Sequence, residues 1–323
     1  MTAGDLVDIA AAEKRIRRHI LVTPLIGWQE GGTWLKCENE QLTGSFKLRG
    51  ALNKILGCTE AQLKTGVVAA SAGNHGIGVS LACRIAGCHA TVVVPRQVVQ
   101  RKRRALERLG AEVILANGDY AVAEREGRAL AAERGALFVS PYNDPEVVAG
   151  QGTLGLELAR QLAALKGEGR TEVYVPVSGG GLLAGVGMGL RLGGAQVRLI
   201  GVQTESAPYF HRFFHGGDPS TVVEVPTMAD GLAGAVEEGS ITWELVRQMA
   251  DDIVLVSEAE IAAAIVELHR STNMLVEPSA AVAAAACKRG VGRRRIAVLS
   301  GGNAGADLLE RIGTASQVDS GRS

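Results

Sequence analysis

The sequence predicts an α/β protein made of two three-layer α/β/α domains with mainly parallel sheets. Three observations lead there. Short apolar runs alternate with helical stretches from about residue 66 onward, joined by short loops, as in successive βαβ units. Three of the strand-to-helix corners are glycine-rich, and Gly is abundant overall at 42 residues, as expected where loops approach a ligand closely. The chain of 323 residues is long enough for one large α/β domain or two smaller ones sharing a core.

Taken in order, residues 6–19 read as an amphipathic helix carrying Leu6, Ile9, Ala10, Ile16 and Ile20 at near-helical spacing. Thr23-Pro24-Leu25 ends it, because Pro lacks an N–H and restricts the residue before it. A strand over 33–37 leads to a helix over 46–57. Strands follow at 67–70, 89–94, 112–115 and 136–139, with helices at 74–86, 98–109 and 120–133 between them. Ser140-Pro141-Tyr142-Asn143-Asp144-Pro145 is turn-rich and reads as a hinge. A second series then begins: helix 146–165, strand 172–177, a glycine loop and a helix to about 192, and strand 197–202. A less regular stretch runs to about 239. Helix 240–250, strand 253–256, helices 258–271 and 279–289, strand 296–299 and helix 304–312 complete the chain. The last ten residues are expected to fray.

Composition narrows the function. Lys plus Arg equals Asp plus Glu at 34 each, so the net charge of zero argues against a nucleic-acid or membrane-surface protein. The basic clusters Arg101–Arg104 and Arg293–Arg295 have no interleaved aromatic residues and read as solvated faces. Five cysteines without a CxxC pair give neither a disulfide framework nor a zinc signature. Asp5, Asp8 and Glu13 stand where a secretory leader would be basic and then apolar, and no run of about 18 apolar residues suggests a membrane span. A reducing cytoplasm is the expected location.

The chemistry is expected at four places. In Thr43-Gly44-Ser45-Phe46-Lys47-Leu48-Arg49-Gly50-Ala51, Lys47 sits at a strand-to-helix corner where a side chain can face a ligand. Ser71-Ala72-Gly73-Asn74-His75-Gly76 lies between a strand and a helix, a junction whose free N–H groups suit a carboxylate or phosphate. Gly76-Ile77-Gly78 is a partial dinucleotide fingerprint, but no acidic residue stands at a strand end about 20 residues on, which argues against NAD. Ser178-Gly179-Gly180-Gly181-Leu182 repeats the strand, glycine run, helix geometry and can close around a phosphate. It lacks the Gly-Lys-Ser/Thr ending of a Walker loop. Leu299-Ser300-Gly301-Gly302-Asn303 ends the last strand, with Ser300 open to an N-cap reading as well. A lysine, an anion cradle, an Asn at a helix start and a strand-end hydroxyl suit a lysine-bound phosphorylated aldehyde, and pyridoxal phosphate fits.

These four segments, in this order, resemble the serine/threonine dehydratase and serine racemase family, with its tryptophan-synthase-β-like fold (fold type II of pyridoxal-phosphate enzymes). The resemblance covers about residues 10–313 and includes Ala229-Asp230-Gly231, Asp251–Ser257 and Glu277-Pro278-Ser279. It implies a large cofactor-binding domain of residues 1–65 and 144–323, and a small, mobile, substrate-closing domain of residues 66–143. It implies that Lys47 carries the cofactor covalently and then serves as the base at the substrate Cα, with Phe46 near the ring. Asn74 is expected on the cofactor 3′-oxygen, Ser178, Gly179, Gly180, Gly181 and Leu182 on its phosphate, and Ser300 at the pyridine nitrogen. Gly231 and Glu277 are expected to complete the cofactor site. Ser71, Ala72, Gly73, Asn74 and His75 are expected to grip the substrate carboxylate. The resemblance also implies a homodimer acting on a small amino acid.

A hydroxyl at the pyridine nitrogen does not force its protonation as a carboxylate would, so the ring is a weaker electron sink and loss of a β-substituent is favoured over transamination. In the racemases of the family a Ser at the position of Ala72 protonates the opposite face of Cα; Ala72 has no proton to give. The expected reaction is therefore β-elimination of L-threonine or L-serine to 2-oxobutyrate or pyruvate plus ammonia. The alternatives are a dehydratase of 3-hydroxyaspartate or of an ectoine-derived hydroxy amino acid, a serine racemase and, more remotely, a ligand sensor without catalysis. No metal is expected, because Gln203 and Tyr209 stand where some family members place carboxylate ligands. His211 and His215, at i, i+4 spacing among Phe210, Phe213 and Phe214, read as an aromatic helix face rather than a chelate.

Overall fold

A computed structural model describes residues 3–29, 32–165 and 169–313. After a short 3-10 segment, Ala3–Leu6, come α1 (Ile9–Ile16), β1 (Leu25–Gly27), β2 (Thr33–Cys37), α2 (Lys47–Leu56) and α3 (Glu60–Leu63). Next are β3 (Val67–Ala70), α4 (Asn74–Ala86), β4 (Ala90–Pro95), α5 (Gln100–Arg108), β5 (Glu112–Ala116), α6 (Tyr120–Arg134) and β6 (Leu137–Phe138). The chain continues through α7 (Pro145–Ala164), β7 (Thr171–Pro176), α8 (Gly181–Leu192), β8 (Arg198–Thr204) and α9 (Tyr209–Phe214). It ends with α10 (Thr242–Met249), β9 (Asp252–Val256), α11 (Glu258–Thr272), α12 (Pro278–Cys287) and β10 (Arg294–Leu299), after which residues 308–313 are helical.

Most elements fall within two residues of the sequence expectation. The helix expected over 6–19 is divided instead: Asp8 accepts the Ala11 N–H, caps α1 and fixes its start at Ile9. The helix expected at 304 begins at 308. The expectation of a frayed tail falls on residues 314–323, outside the described residues. β1 is an addition to the expected elements, because Pro24 reads as a breaker. It pairs antiparallel with β2 at the edge of the sheet, where a proline is tolerated.

Two sheets result. One has the order β1-β2-β10-β7-β8-β9, parallel apart from β1, and the other β5-β4-β3-β6 is parallel throughout. Both bury alternate residues on opposite faces. Val173, Val175, Ile296 and Val298 pack with α7, α8 and α10, whereas Tyr174, Ala297 and Leu299 pack with α11 and α12. In the smaller sheet Val67, Ala69, Val92 and Val94 share a core with α2 and α4, and Val68 and Val93 share one with α6. Thus α2 belongs by sequence to the segment before the small sheet, yet its face Leu48, Ala51, Leu52 and Ile55 packs under that sheet.

α7 is the spine between α2 and α8. A Cβ on Gly150 would lie 2.5 Å from the Arg49 carbonyl oxygen, and one on Gly189 would lie 2.0 Å from the Gly152 carbonyl oxygen. These backbones touch, which only glycine permits. The same region holds a buried charge cluster. Arg49 forks onto Glu38 (Nε–Oε2 and Nη2–Oε1 both 2.8 Å) and reaches Glu157 Oε2 at 3.0 Å. Lys36 bonds Glu157 and donates to the Thr23 carbonyl at 2.8 Å. Burial alone would push the Glu38 carboxyl up, but Arg49 and Lys36 outweigh it and hold the group below its ordinary range. Two cations balance two anions, and the cluster ties β2, α2 and α7 together.

Replacing Arg49 with Leu leaves Glu38 buried and uncompensated. The expected loss is about 3–5 kcal/mol of folding stability, read from urea denaturation midpoints of the variant and the parent.

Candidate active site

The glycine corners predicted from sequence all lie at the C-terminal ends of parallel strands, β3, β7 and β10, where α/β sheets present ligands. They line one cleft of about 2260 Å³ together with Lys47. This exceeds the roughly 300–1,000 Å³ of an ordinary small-molecule pocket, because the cleft runs on past the corners along α5 and α11.

Lys47 is the first residue of α2. The segment before it is stitched to the end of β10: Phe46 N–H donates to Ser300 O at 3.1 Å and Gly302 N–H to Gly44 O at 2.9 Å. On its other side Gly78 lets α4 approach closely, since a Cβ there would sit 3.2 Å from the Lys47 carbonyl carbon. The ammonium donates to the Pro141 carbonyl at 3.1 Å and lies 5.1 Å from the Phe46 ring centroid. Burial lowers its pKa from 10.5 to about 8. An amine so placed is largely protonated at pH 7 but far more often neutral than an ordinary lysine.

Two helix N-termini face this lysine without a side-chain cap. α8 starts behind Gly180, whose φ of +83° is a glycine conformation, and a Cβ there would also strike Phe210 Cζ at 2.6 Å. α4 starts behind Gly73. The first N–H groups of each helix are therefore left for a ligand, and the helix dipole favours an anion. In the 71–75 loop, Ser71 Oγ accepts the Gly73 N–H at 3.1 Å and shapes the turn. Ala72 lines the cleft with its methyl group. The His75 ring is spoken for: it is buried with Nε2 2.8 Å from Val139 O, and burial followed by the Lys47 charge drives its pKa down to about 3. It stays neutral and donates to that carbonyl.

Asn74 is held on both sides. Its Nδ2 donates to Glu277 (2.8 and 3.1 Å) and its Oδ1 accepts from Asn303 Nδ2 at 2.7 Å. Both Glu277 oxygens lie to one side of the amide nitrogen, which leaves its second N–H for a ligand. Asn303 also donates to Thr43 O at 2.8 Å and, through its backbone, to Glu277 at 2.8 Å. Burial pushes the Glu277 carboxyl up despite these bonds. Glu277 therefore orients Asn74. The Gly231 N–H is taken by Ser279 Oγ at 3.0 Å, and Ser300 lines the cleft beside Glu277. Sequence reasoning gave no role to Asn303, Pro141 or Tyr142, although Asn303 lies inside a quoted segment and the other two inside the hinge. Their partners are distant in sequence and leave no local signal.

The residues around the positions considered for a metal are used internally. Gln203 Oε1 accepts the His211 N–H at 2.8 Å, Tyr209 donates to Glu224 at 3.2 Å, and His215 Nε2 lies 3.1 Å from Ile253 O. Among the described residues no group of three or more His, Cys, Asp or Glu is arranged to hold a metal ion.

An uncapped glycine cradle, a second uncapped helix start and a half-buried lysine of lowered pKa fit a phosphorylated aldehyde. The sequence profile described as "Pyridoxal-phosphate dependent enzyme" matches residues 16–306. The chain belongs to this family. Among its relatives, an L-threonine ammonia-lyase of Thermotoga maritima is 43% identical over 98% of this chain and 80% of its own length. The L-threonine dehydratase catabolic TdcB of Escherichia coli K12 is 38% identical over 88% and 86%. Of solved structures, the processed form of threonine deaminase isoform 2 from Solanum lycopersicum superposes with a TM-score of 0.87 at 32% identity, covering 97% of this chain and 87% of that one. Maize serine racemase superposes at 0.85 with 27% identity, covering 100% and 99%. The fold is that of the fold type II pyridoxal-phosphate enzymes, as the sequence predicted, and the cofactor is pyridoxal 5′-phosphate.

The lowered pKa of Lys47 has a direct readout. The rate at which apoprotein takes up pyridoxal phosphate should rise with pH in proportion to the neutral amine, with its half-rise near pH 8 and a plateau above it. Stopped-flow absorbance checks this; a half-rise near the ordinary lysine value of about 10.4 would contradict it.

Proposed function

We propose that this enzyme is a threonine/serine ammonia-lyase that eliminates water from L-threonine or L-serine and releases ammonia with 2-oxobutyrate or pyruvate. The observation that carries the reading is a half-buried, easily neutralised Lys47 in one cleft with two uncapped helix N-termini. Likeness to L-threonine ammonia-lyases over nearly the whole chain supports the substrate class.

Bound pyridoxal phosphate supplies the electron sink that lets a bond at the substrate Cα break. The chain's own groups do the rest. The N–H groups of Gly179, Gly180, Gly181 and Leu182 hold the phosphate, aided by the α8 dipole. Phe46 and Ser300, which line the cleft, would flank the bound cofactor, and Asn74, fixed by Glu277 and Asn303, would offer it the remaining N–H. The loop from Ser71 to His75 binds the substrate carboxylate through backbone N–H groups at the start of α4. Lys47 would hold the cofactor, and its amine would take the Cα proton; its lowered pKa suits a base working near neutrality. Ala72 carries no proton to return to the opposite face, which favours departure of the β-hydroxyl over inversion.

Residues 66–143 act as the smaller domain that closes on the substrate against a cofactor-binding domain of residues 1–65 and 144–323. The two separate sheets and the cleft between their strand ends support this division. The enzyme works as a homodimer in the cytoplasm. Resemblance to the family supports the dimer, and five unpaired cysteines support a reducing compartment. No helix of the described residues is long and apolar enough to cross a membrane.

Purified holoenzyme given L-threonine, L-serine or threo-3-hydroxyaspartate should release a 2-oxo acid fastest from the first two. No oxo acid from any of the three would sink the elimination reading. Lys47→Ala should abolish the visible band of the lysine-bound cofactor and lower turnover by about 10²–10⁴-fold. Ala72→Ser should raise the D-serine formed from L-serine relative to pyruvate, measured by chiral chromatography. Parent enzyme that already makes D-serine as fast as pyruvate would favour an isomerase.

A further inference from the structure

The glycine loop at the start of α8 rests on a tyrosine that the proposed chemistry does not use. A Cβ on Gly179 would lie 2.2, 2.3 and 2.6 Å from three ring carbons of Tyr142, and one on Gly181 would lie 3.1 Å from Tyr142 Cα and Cβ. The loop backbone is thus in van der Waals contact with the ring and with the chain that carries it. The residue before it, Pro141, supplies the carbonyl that receives Lys47 at 3.1 Å. One turn therefore touches both the lysine and the anion cradle.

The hydroxyl of Tyr142 fixes the ring from its far end by accepting the Glu237 N–H at 3.1 Å. Glu237 in turn takes Asn143 Nδ2 at 2.7 Å and pairs with Arg128 of α6, and Asn143 Oδ1 accepts the Ile241 N–H at 3.1 Å. The ring is pinned at both ends. Burial, the largest influence, raises the phenol pKa to about 12, so the hydroxyl stays neutral over the working range and its bond does not titrate there. A phenylalanine would keep the floor under Gly179 but lose the pin to Glu237. An alanine would lose both.

We infer that Tyr142 is a positioning residue for the cofactor phosphate: its ring seats Gly179–Gly181, and its hydroxyl, through Glu237, holds that seat in register with Lys47. This rests on the reading that Ser178–Leu182 binds the phosphate.

The test is a binding titration of apoprotein with pyridoxal phosphate and, separately, with phosphate-free pyridoxal. Both are followed by absorbance for the parent, Tyr142→Phe and Tyr142→Ala. Tyr142→Ala should bind pyridoxal phosphate at least tenfold more weakly while its affinity for pyridoxal changes less than twofold. Tyr142→Phe should lose two- to fivefold for the phosphorylated ligand only. Equal weakening toward both ligands would mark a merely structural role and overturn the inference, as would parent-like binding of pyridoxal phosphate by both variants. If Tyr142→Ala fails to fold, Tyr142→Phe decides alone: a phosphate-selective loss supports the inference and no loss overturns it. Parent apoprotein that binds the two ligands equally would instead refute the phosphate assignment of the glycine loop.

Discussion

How closely three helices can approach one another governs the site. Lys47 heads α2 and the Gly179–Gly181 corner leads into α8. Both are set against α7, where contacts such as Gly150 on Arg49 and Gly189 on Gly152 bring backbone onto backbone. A methyl group at any of these contacts would push two helices apart and shift the starts of α2 and α8 relative to one another. The buried cluster of Arg49, Glu38, Glu157 and Lys36 reinforces the same joint, with Arg49 only two residues beyond the lysine. Shape fixes the spacing, and charge fixes which surfaces meet.

Electrostatics then divides labour among groups that look alike in sequence. Burial lowers the pKa of both Lys47 and His75, but the histidine is spent on the Val139 carbonyl while the lysine faces the cleft. Glu277 is the reverse case. Its raised pKa is tolerated because Asn74 and the Asn303 backbone donate to it. A carboxylate lining the cleft thus serves to orient an amide.

The glycine corners were legible because each is local: a strand, a few small residues and a helix start in one short stretch. Their convergence on Lys47 followed from the family resemblance and from the rule that parallel strands gather ligands at one end. What stayed hidden depends on contacts between distant residues. Asn303 holds Asn74 across 229 positions, and the Pro141 carbonyl meets Lys47 across 94. Arg49 read as one letter of a motif, with nothing nearby to reveal two carboxylates waiting in the core. β1 was concealed by Pro24, whose disruptive local preference is overridden at a sheet edge. His75 shows another hidden contact: its ring bonds the Val139 carbonyl across 64 positions.

The aromatic group behind α8 has an optical consequence. Phe210 presses on Gly180 from outside the cleft, and the Trp243 ring lies 4.4 Å from Phe210 and 4.8 Å from Phe213, with its indole N–H on the Glu237 carbonyl. One indole therefore sits a single side chain away from the cradle and one bond away from the loop that steadies it. Trp28 and Trp34 belong to the edge region of the large sheet. The protein thus carries a fluorophore of its own behind the Gly179–Gly181 corner, and Trp243 emission is expected to respond, without a label, to changes at that corner.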